Sequence, residues 1–193
     1  MAQTLFFPSH KSYREEDRIY IEFLGGSVTG YAYHMTAVHP DSIYFNHLTF
    51  ASCVKNQGQE LLLAQSGVSR EDVNYINAYA TSTPTGDLKE YRALIRCLRK
   101  NPELRVNPTK SMIDHLMGAS GAVEAVGTIK VMQTGCIHQN INLENPNKSV
   151  QDINVFVRPN KEKLDMEVVL SNSFGQNPSS HIILQDIGQN PLM

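Results

Sequence analysis

The chain has 193 residues and a formal net charge of −2, a length that suits one domain or one large part of a two-part fold. The near-neutral charge gives no reason to expect a nucleic-acid partner, and no apolar run approaches the length of a membrane span. Its three cysteines, Cys53, Cys97 and Cys136, are scattered without metal-ligand spacing, and we interpret them as structural residues of a reduced protein. The first residues show neither a signal-peptide nor a transit-peptide pattern, which favours a soluble intracellular protein.

Predicted strands and helices alternate along the chain. Runs rich in β-branched and aromatic residues predict strands over residues 18–24, 73–80, 104–107, 154–157, 166–171 and 181–185. Apolar residues at helical spacing predict helices over residues 57–65, 87–98 and 123–134. Glycines are expected to end elements at Gly25, Gly67 and Gly135, and residues 172–175 are a predicted turn. This order predicts an α/β layered fold over residues 19–185, between an irregular N-terminal segment, 1–18, and a tail, 186–193.

Two polar features of the first half have structural interpretations. Asp87 with Glu90 matches a capping box, in which side chains satisfy free N–H groups at the start of a helix. The histidines of the aperiodic region 27–53 fit no metal-binding spacing, and we interpret them as solvated loop residues: His34, His39 and His47. The sequence therefore predicts no metal site.

The most informative stretch, residues 107–126, places a cation, an imidazole and a carboxylate around a run of small residues. Lys110 and His115 precede the predicted helix in a loop, and Glu124 lies in its first turn. The small residues, Gly118 to Ala122, would let the helix start approach a ligand or another backbone closely. Loops held by rigid elements often carry functional side chains. Each residue also has a structural interpretation: His115 as a cap, Lys110 as a solvated charge and Glu124 on the exposed helix face.

Three segments together resemble the C-terminal half of a β-ketoacyl-acyl-carrier-protein synthase, most similar to the plant plastid type. They match the family in order and separation: residues 77–84 (NAYATSTP), 109–124 (TKSMIDHLMGASGAVE) and 171–175 (SNSFG). The resemblance implies a thiolase-like fold, in which two similar halves each supply a sheet layered with helices. It also implies fatty-acid synthesis, since the family condenses an acyl chain, held on a cysteine, with malonyl-carrier protein and releases carbon dioxide.

The resemblance implies roles for residues at matching positions. His115 corresponds to the family's second active-site histidine, Lys110 to its lysine, and Glu124 to a carboxylate beside the site. Three residues would contact the substrate: Thr81 and Thr83, which match hydroxyls facing the phosphopantetheine arm of the carrier protein, and Phe174 of the glycine-rich turn. Taken alone, both threonines are turn formers. No cofactor is implied beyond that arm, which carries the substrate.

Several positions depart from the family pattern. Tyr79 stands where the family has its first catalytic histidine, and a phenol with a pKa of about 10 is a poor proton relay at neutral pH. Asp114 replaces a glycine, and its carboxylate is expected to raise the pKa of His115. Residues 176–178, Gln-Asn-Pro, replace the Phe-Gly-Gly that gates the acyl pocket in the family. The family half that carries the nucleophilic cysteine has no counterpart in these residues.

Two functions of different kinds follow from the resemblance and the departures. The first is a 3-oxoacyl-acyl-carrier-protein synthase of fatty-acid synthesis, expected to be inactive without the half that carries the cysteine. The alternative is a non-catalytic binding or assembly module that pairs with a full-length synthase or the carrier protein. A lone half would expose apolar surface and could also fail to fold stably. The resemblance implies a homodimer and the plastid stroma.

Overall fold

The structure is a computed structural model, and it describes residues 21–29, 63, 66–98, 101–141, 143–145, 147, 150, 160–174 and 179–186. Its strands and helices are, in chain order, β1 (Glu22–Thr29), β2 (Val73–Asn77), α1 (Pro84–Leu98), β3 (Arg105–Val106), α2 (Lys110–Ile113), α3 (Ser120–Thr134), β4 (Cys136–Ile137), β5 (Glu162–Lys163), β6 (Val168–Phe174) and β7 (Ser179–Gln185). A 3-10 helix, Met117–Ala119, joins α2 to α3. Within these described ranges, no helix has the length and apolar character needed to cross a membrane.

Five strands form the main sheet, in the order β1-β7-β6-β2-β3. β2 pairs in parallel with β3 and with β6, whereas β7 pairs antiparallel with β6 and with β1. β4 and β5 form a separate antiparallel pair. Every residue of β2 is buried, as is typical of a central parallel strand whose two faces are both covered. This mixed sheet with packed helices confirms the predicted α/β fold class.

The two long helices belong to the cores on opposite faces of the sheet. Successive residues of a strand point to opposite faces, so Val169 and Leu170 of β6 belong to different buried clusters. α1 contributes Leu94 to the cluster of Leu170, and α3 contributes Val131 to the cluster of Val169. The carboxyl ends of the parallel strands β2, β3 and β6 meet at one edge of the sheet. The chain segments that carry the candidate site begin at this edge.

Two strands run past the ends predicted for them. β1 continues through Gly25 to Thr29, with a register shift between Phe23 and Gly25, so the glycine accompanies a bulge and does not end the strand. β6 continues through the predicted turn to Phe174, because its pairing with β7 extends as far as Phe174 opposite Ser179. The prediction of a turn over residues 172–174 is therefore wrong.

α3 begins at Ser120, before the predicted start at residue 123, and ends as predicted before Gly135, whose φ of 58° is left-handed. The valines of the helical pattern, Val123 and Val126, lie at the surface with 37% and 57% exposure. The first half of the helix instead buries a stripe of small and polar side chains: Ser120, Glu124, Ala125 and Thr128. The apolar spacing thus predicted the helix correctly but not its buried face.

Some predicted features lie outside the described residues. They are residues 1–18, the tail after Asp186, most of the helix 57–65, the strand 154–157, residues 176–178, His34, His39, His47 and Cys53, with the side chains of Cys97 and Phe174. Leu63, within the predicted helix, is helical and buried, and Gly67 has the left-handed φ expected of a helix stop. Cys136 is a half-buried free thiol in β4.

Candidate active site

The loop after β2 carries Tyr79, and the buried carboxylate of Glu90 on α1 holds this loop in place. Glu90 is 3% exposed and accepts hydrogen bonds of 2.9 Å from the backbone N–H groups of Tyr79 and Ala80. Ala80 has a φ of 25°, which residues other than glycine rarely adopt, so these bonds stabilise an unfavourable turn. They also explain why β2 ends at Asn77 and not at residue 80, since the two N–H groups do not bond to a neighbouring strand.

A buried amide connects the end of β2 to the start of α2. Asn77 Oδ1 accepts from the backbone N–H of Thr109 at 3.0 Å and from its hydroxyl at 2.7 Å. The Nδ2 group of Asn77 donates to Ser171 Oγ on β6 at 3.1 Å. Because Thr109 immediately precedes Lys110, this network fixes where the lysine enters the site.

Lys110 and Glu124 form a buried ion pair between the first residue of α2 and the second turn of α3. Their exposures are 6% and 0%, so the structural interpretations of a solvated lysine and an exposed glutamate are both wrong. Burial raises the pKa of Glu124, and the neighbouring ammonium opposes that rise. The ammonium also lies 4.4 Å from the centre of the Tyr79 ring, in a cation–π contact.

His115 lies between Tyr79 and the start of α3. Its Nε2 is 3.4 Å from the Tyr79 hydroxyl, and its Nδ1 is 2.8 Å from Ser120 Oγ. The two rings meet edge to face, with centroids 5.6 Å apart. Burial and the charge of Lys110 lower the pKa of His115, so the imidazole is neutral at neutral pH. Burial, followed by the charges of two glutamates, raises the pKa of Tyr79, which therefore keeps its proton.

Asp114 does not raise the pKa of His115, contrary to the sequence prediction. The Asp114 carboxylate is exposed, and burial and Lys110 shift the pKa of the imidazole in the opposite direction. The backbone at this position does favour glycine, as the sequence analysis expected. Asp114 has φ 61° and ψ −175°, a conformation that is almost exclusive to glycine. By contrast, an added Cβ would meet nothing within 4 Å at Gly118 and only ordinary contacts at Gly121. Among the described residues, no neighbouring atom comes close enough to Gly118 or Gly121 to exclude a side chain there.

The predicted substrate-contacting residues lie on neighbouring segments of the same sheet edge. Thr81 and Thr83 follow Tyr79 in its loop, with their hydroxyls 3.5 Å apart. Asp87 lies inside α1, and its carboxylate accepts from the Thr83 N–H at 3.3 Å, so it still caps the helix start. Phe174 is the last residue of β6. The structure thus brings together Tyr79 and the Lys110, His115 and Glu124 side chains, with the threonines alongside.

Glu90 and Ser120 are site residues that the sequence analysis missed. Glu90 is not the second member of a capping box, because its carboxylate is buried and bonds to the loop of Tyr79. Its spacing was informative, since Glu90 precedes the buried Leu94 and Leu98 by one and two helical turns. Ser120 likewise precedes the buried Glu124 and Thr128 at intervals of four. A polar residue in phase with the buried face of a helix is the signal that could have identified both.

The chain is similar to a known family and to known proteins. The family described as "Beta-ketoacyl synthase, C-terminal domain" matches residues 23–144. The chain belongs to this family. It is 55% identical over 157 residues to the chloroplastic 3-oxoacyl-[acyl-carrier-protein] synthase II of Arabidopsis thaliana, covering 81% of the chain and 27% of that protein. It is 41% identical to the chloroplastic synthase I of Hordeum vulgare, covering 86% of the chain and 33% of that protein.

Solved ketosynthase structures share the fold. A type II PKS ketosynthase in complex with its acyl-carrier protein superposes with a TM-score of 0.74 and 23% identity, covering 88% of this chain and 39% of that one. The ishigamide ketosynthase/chain length factor superposes with a TM-score of 0.70 and 28% identity, covering 89% and 39%. These similarities confirm the thiolase-like fold predicted from the resemblance. The chain spans only 27% and 33% of the length of these two plant relatives.

Proposed function

We propose that this chain supplies the C-terminal part of a 3-oxoacyl-acyl-carrier-protein synthase of fatty-acid biosynthesis. Such an enzyme condenses an acyl thioester with malonyl-carrier protein and releases carbon dioxide. The observation that carries the proposal is the convergence of His115, Lys110 and Tyr79 beside the buried Glu124, at positions matching the family's motif. Fold alone would not support an activity, whereas this side-chain geometry does.

The arrangement suits the stabilisation of an anionic oxygen. Loss of carbon dioxide from a malonyl thioester leaves an enolate, and donors held in place before the reaction stabilise that charge best. A neutral imidazole at His115 and a protonated phenol at Tyr79 can both donate a hydrogen bond. Lys110, held by Glu124, contributes a fixed positive charge next to the Tyr79 ring. In this scheme Tyr79 takes over hydrogen-bond donation from the family's first catalytic histidine. It cannot relay protons as a histidine does, because its raised pKa prevents ionisation near neutral pH.

The acyl group needs a nucleophile from elsewhere. A cysteine thiolate holds the acyl chain in the family, and we infer that it belongs to the part of the synthase that these residues do not span. Thr81, Thr83 and Phe174 would contact the phosphopantetheine arm and acyl chain delivered by the carrier protein. No further cofactor is needed in this scheme, and a plastid location would agree with the chloroplastic relatives.

The alternative is a non-catalytic module that pairs with a synthase. Tyr79 at the histidine position and the strained Asp114 favour a site that has lost catalytic power. Large apolar side chains near the site are exposed, including Met117 at 78% and Val126 at 57%, and such surfaces commonly bind other proteins. The partner we infer is the cysteine-bearing half of a ketoacyl synthase, since the chain covers only 39% of each of the two ketosynthase structures compared.

A condensation assay distinguishes the two functions. The purified chain would receive acyl- and malonyl-carrier protein, alone and with a full-length synthase that keeps its cysteine but has the histidine corresponding to His115 changed to glutamine. Released carbon dioxide would be measured against that synthase variant alone. Catalysis that appears in the mixture and is lost with His115→Gln would support a catalytic half. A chain that is folded and binds the synthase but releases no carbon dioxide would support the module and contradict the catalytic proposal.

A further inference from the structure

Ser120 contacts the ring nitrogen of His115 that faces away from Tyr79. The distance from Ser120 Oγ to His115 Nδ1 is 2.8 Å, which is a normal hydrogen bond. Ser120 is the first residue of α3 and is only 2% exposed, whereas the His115 ring is largely exposed. The serine is therefore part of the rigid helix, and the histidine is the group that it can orient.

The buried hydroxyl decides the direction of this hydrogen bond. Buried hydroxyl protons are normally donated, because an unsatisfied donor loses its hydrogen bonds to water without compensation. In the described part of the chain, the hydrogen-bond partner of Ser120 Oγ is Nδ1 of His115. A proton on Nδ1 would point at the serine oxygen and leave the hydroxyl proton without an acceptor. A bare Nδ1 accepts that proton and satisfies both groups.

We propose that Ser120 is a positioning residue that donates to Nδ1 and thereby holds neutral His115 as the tautomer with its proton on Nε2. That proton then faces the Tyr79 oxygen, 3.4 Å from Nε2. The Tyr79 oxygen accepts that proton, so the ring presents its single N–H group towards Tyr79 and its bare nitrogen towards α3. The N–H group is thus directed into the part of the site where we expect an anionic oxygen to bind.

The tautomer is independent of the proposed reaction, although the use of the Nε2–H group towards a thioester oxygen rests on the proposed function. Ser120 does not reach the reacting atoms in this scheme and acts only through the ring of His115. A merely structural serine would stabilise the start of α3 without affecting the ring nitrogens. The two roles are therefore separable by spectroscopy, without any measurement of activity.

Nitrogen NMR of the full chain, labelled with 15N in histidine, tests the proposal. The spectrum would be recorded at neutral pH, where the ring is uncharged, and the His115 signals would be assigned by their loss in His115→Gln. We expect a pyrrole-type shift at Nε2 and a pyridine-type shift at Nδ1, displaced by the accepted hydrogen bond. The reverse pattern, with the proton on Nδ1, would overturn the proposal without any serine variant.

Serine variants then test the positioning role. Ser120→Ala should move the Nδ1 signal towards the value of an unbonded nitrogen, or average the two signals through tautomer exchange. Ser120→Thr keeps a hydroxyl and should restore the wild-type shifts. Ser111→Ala is the matched control, because the Ser111 hydroxyl donates to the Pro108 carbonyl oxygen. His115 shifts that do not change in a folded Ser120→Ala protein would contradict the assignment. If that variant does not fold, the wild-type and threonine spectra still decide the question.

Discussion

The contribution of Lys110 and Glu124 to the free energy of unfolding depends on their being buried as a pair. Both side chains are buried, so each would be left with an uncompensated desolvation cost if the other were neutralised. We expect Lys110→Met, which keeps the aliphatic stem, to lower the free energy of unfolding by about 3–5 kcal/mol. Urea unfolding at pH 7, followed by circular dichroism, would measure the loss.

Two further variants test the cause of that loss. Lys110→Met combined with Glu124→Gln removes the buried negative charge and should recover a large part of the stability. Lys130→Met is the matched control, since Lys130 is an exposed lysine of α3 and its loss should change the free energy of unfolding by less than about 0.5 kcal/mol. Equal effects at Lys110 and Lys130 would show that the buried pair contributes little.

His115 makes stability depend on pH in a defined direction. Burial and Lys110 lower its pKa in the folded protein, so the unfolded chain binds a proton first as the pH falls below about 6.5. Folding stability should therefore decrease as the pH falls through the window between the unfolded pKa and the lower folded one. The ring is largely exposed, so the effect on the free energy of unfolding should be small. NMR titration would measure the midpoint, and a value above 6.5 would contradict the prediction.

Asp114 occupies a backbone conformation that costs free energy. With φ 61° and ψ −175°, a residue bearing a Cβ is strained by roughly 1–3 kcal/mol, whereas glycine is not. We expect Asp114→Gly to raise the free energy of unfolding, less the entropy that glycine costs in the unfolded chain. Asp114→Ala is the control, because it removes the charge and keeps the Cβ. Stabilisation by alanine as large as that by glycine would assign the effect to the carboxylate.

At the scale of elements, α1 controls the shape of the loop that carries Tyr79. The Glu90 carboxylate is the acceptor for two backbone N–H groups of that loop. We expect Glu90→Ala to cost about 1–3 kcal/mol for each N–H group left without a partner, and to speed hydrogen exchange at Tyr79 and Ala80. Glu90→Gln keeps one acceptor oxygen and should have a smaller effect.

The exposed Glu103 provides the comparison for this variant. Glu103→Ala should leave both the stability and the exchange of the Tyr79 and Ala80 amides unchanged, because Glu103 lies at the surface. Slow exchange at these amides in Glu90→Ala would mean that the strained turn is stable without the carboxylate. The position of Tyr79 would then be a property of its own loop.

At the scale of the whole molecule, the exposed apolar side chains predict association. Met117 and Val126 lie on the 3-10 helix and α3 close to the site, and both are more than half exposed. We expect the chain to associate with itself or with a synthase, and the double variant Met117→Lys with Val126→Lys to weaken that association at least tenfold. Analytical ultracentrifugation would measure it, with Lys89→Met as a control for altered charge. Association that is unchanged in the double variant would place the contact surface elsewhere.

Much of the fold was predictable because its elements are specified locally. The alternating run from Val73, the left-handed stop at Gly135 and the apolar repeat of α1 each depend on residues close in sequence. The ends of elements were less predictable. β2 does not reach its predicted end at residue 80 because Glu90, on the following helix, accepts from the N–H groups of Tyr79 and Ala80. Likewise, β6 passes through its predicted turn because β7 pairs with it.

The sequence by itself determined the family, the fold class and which residue types are present at the site. Only the tertiary structure decided that Glu124 is buried against Lys110, that Ser120 meets His115, and that the pKa of His115 is lowered. The physical reason is that burial and pKa depend on groups brought together by packing. The pattern of one helix does not show which of its faces the sheet will cover, and the first half of α3 buries its polar stripe while Val123 and Val126 remain exposed.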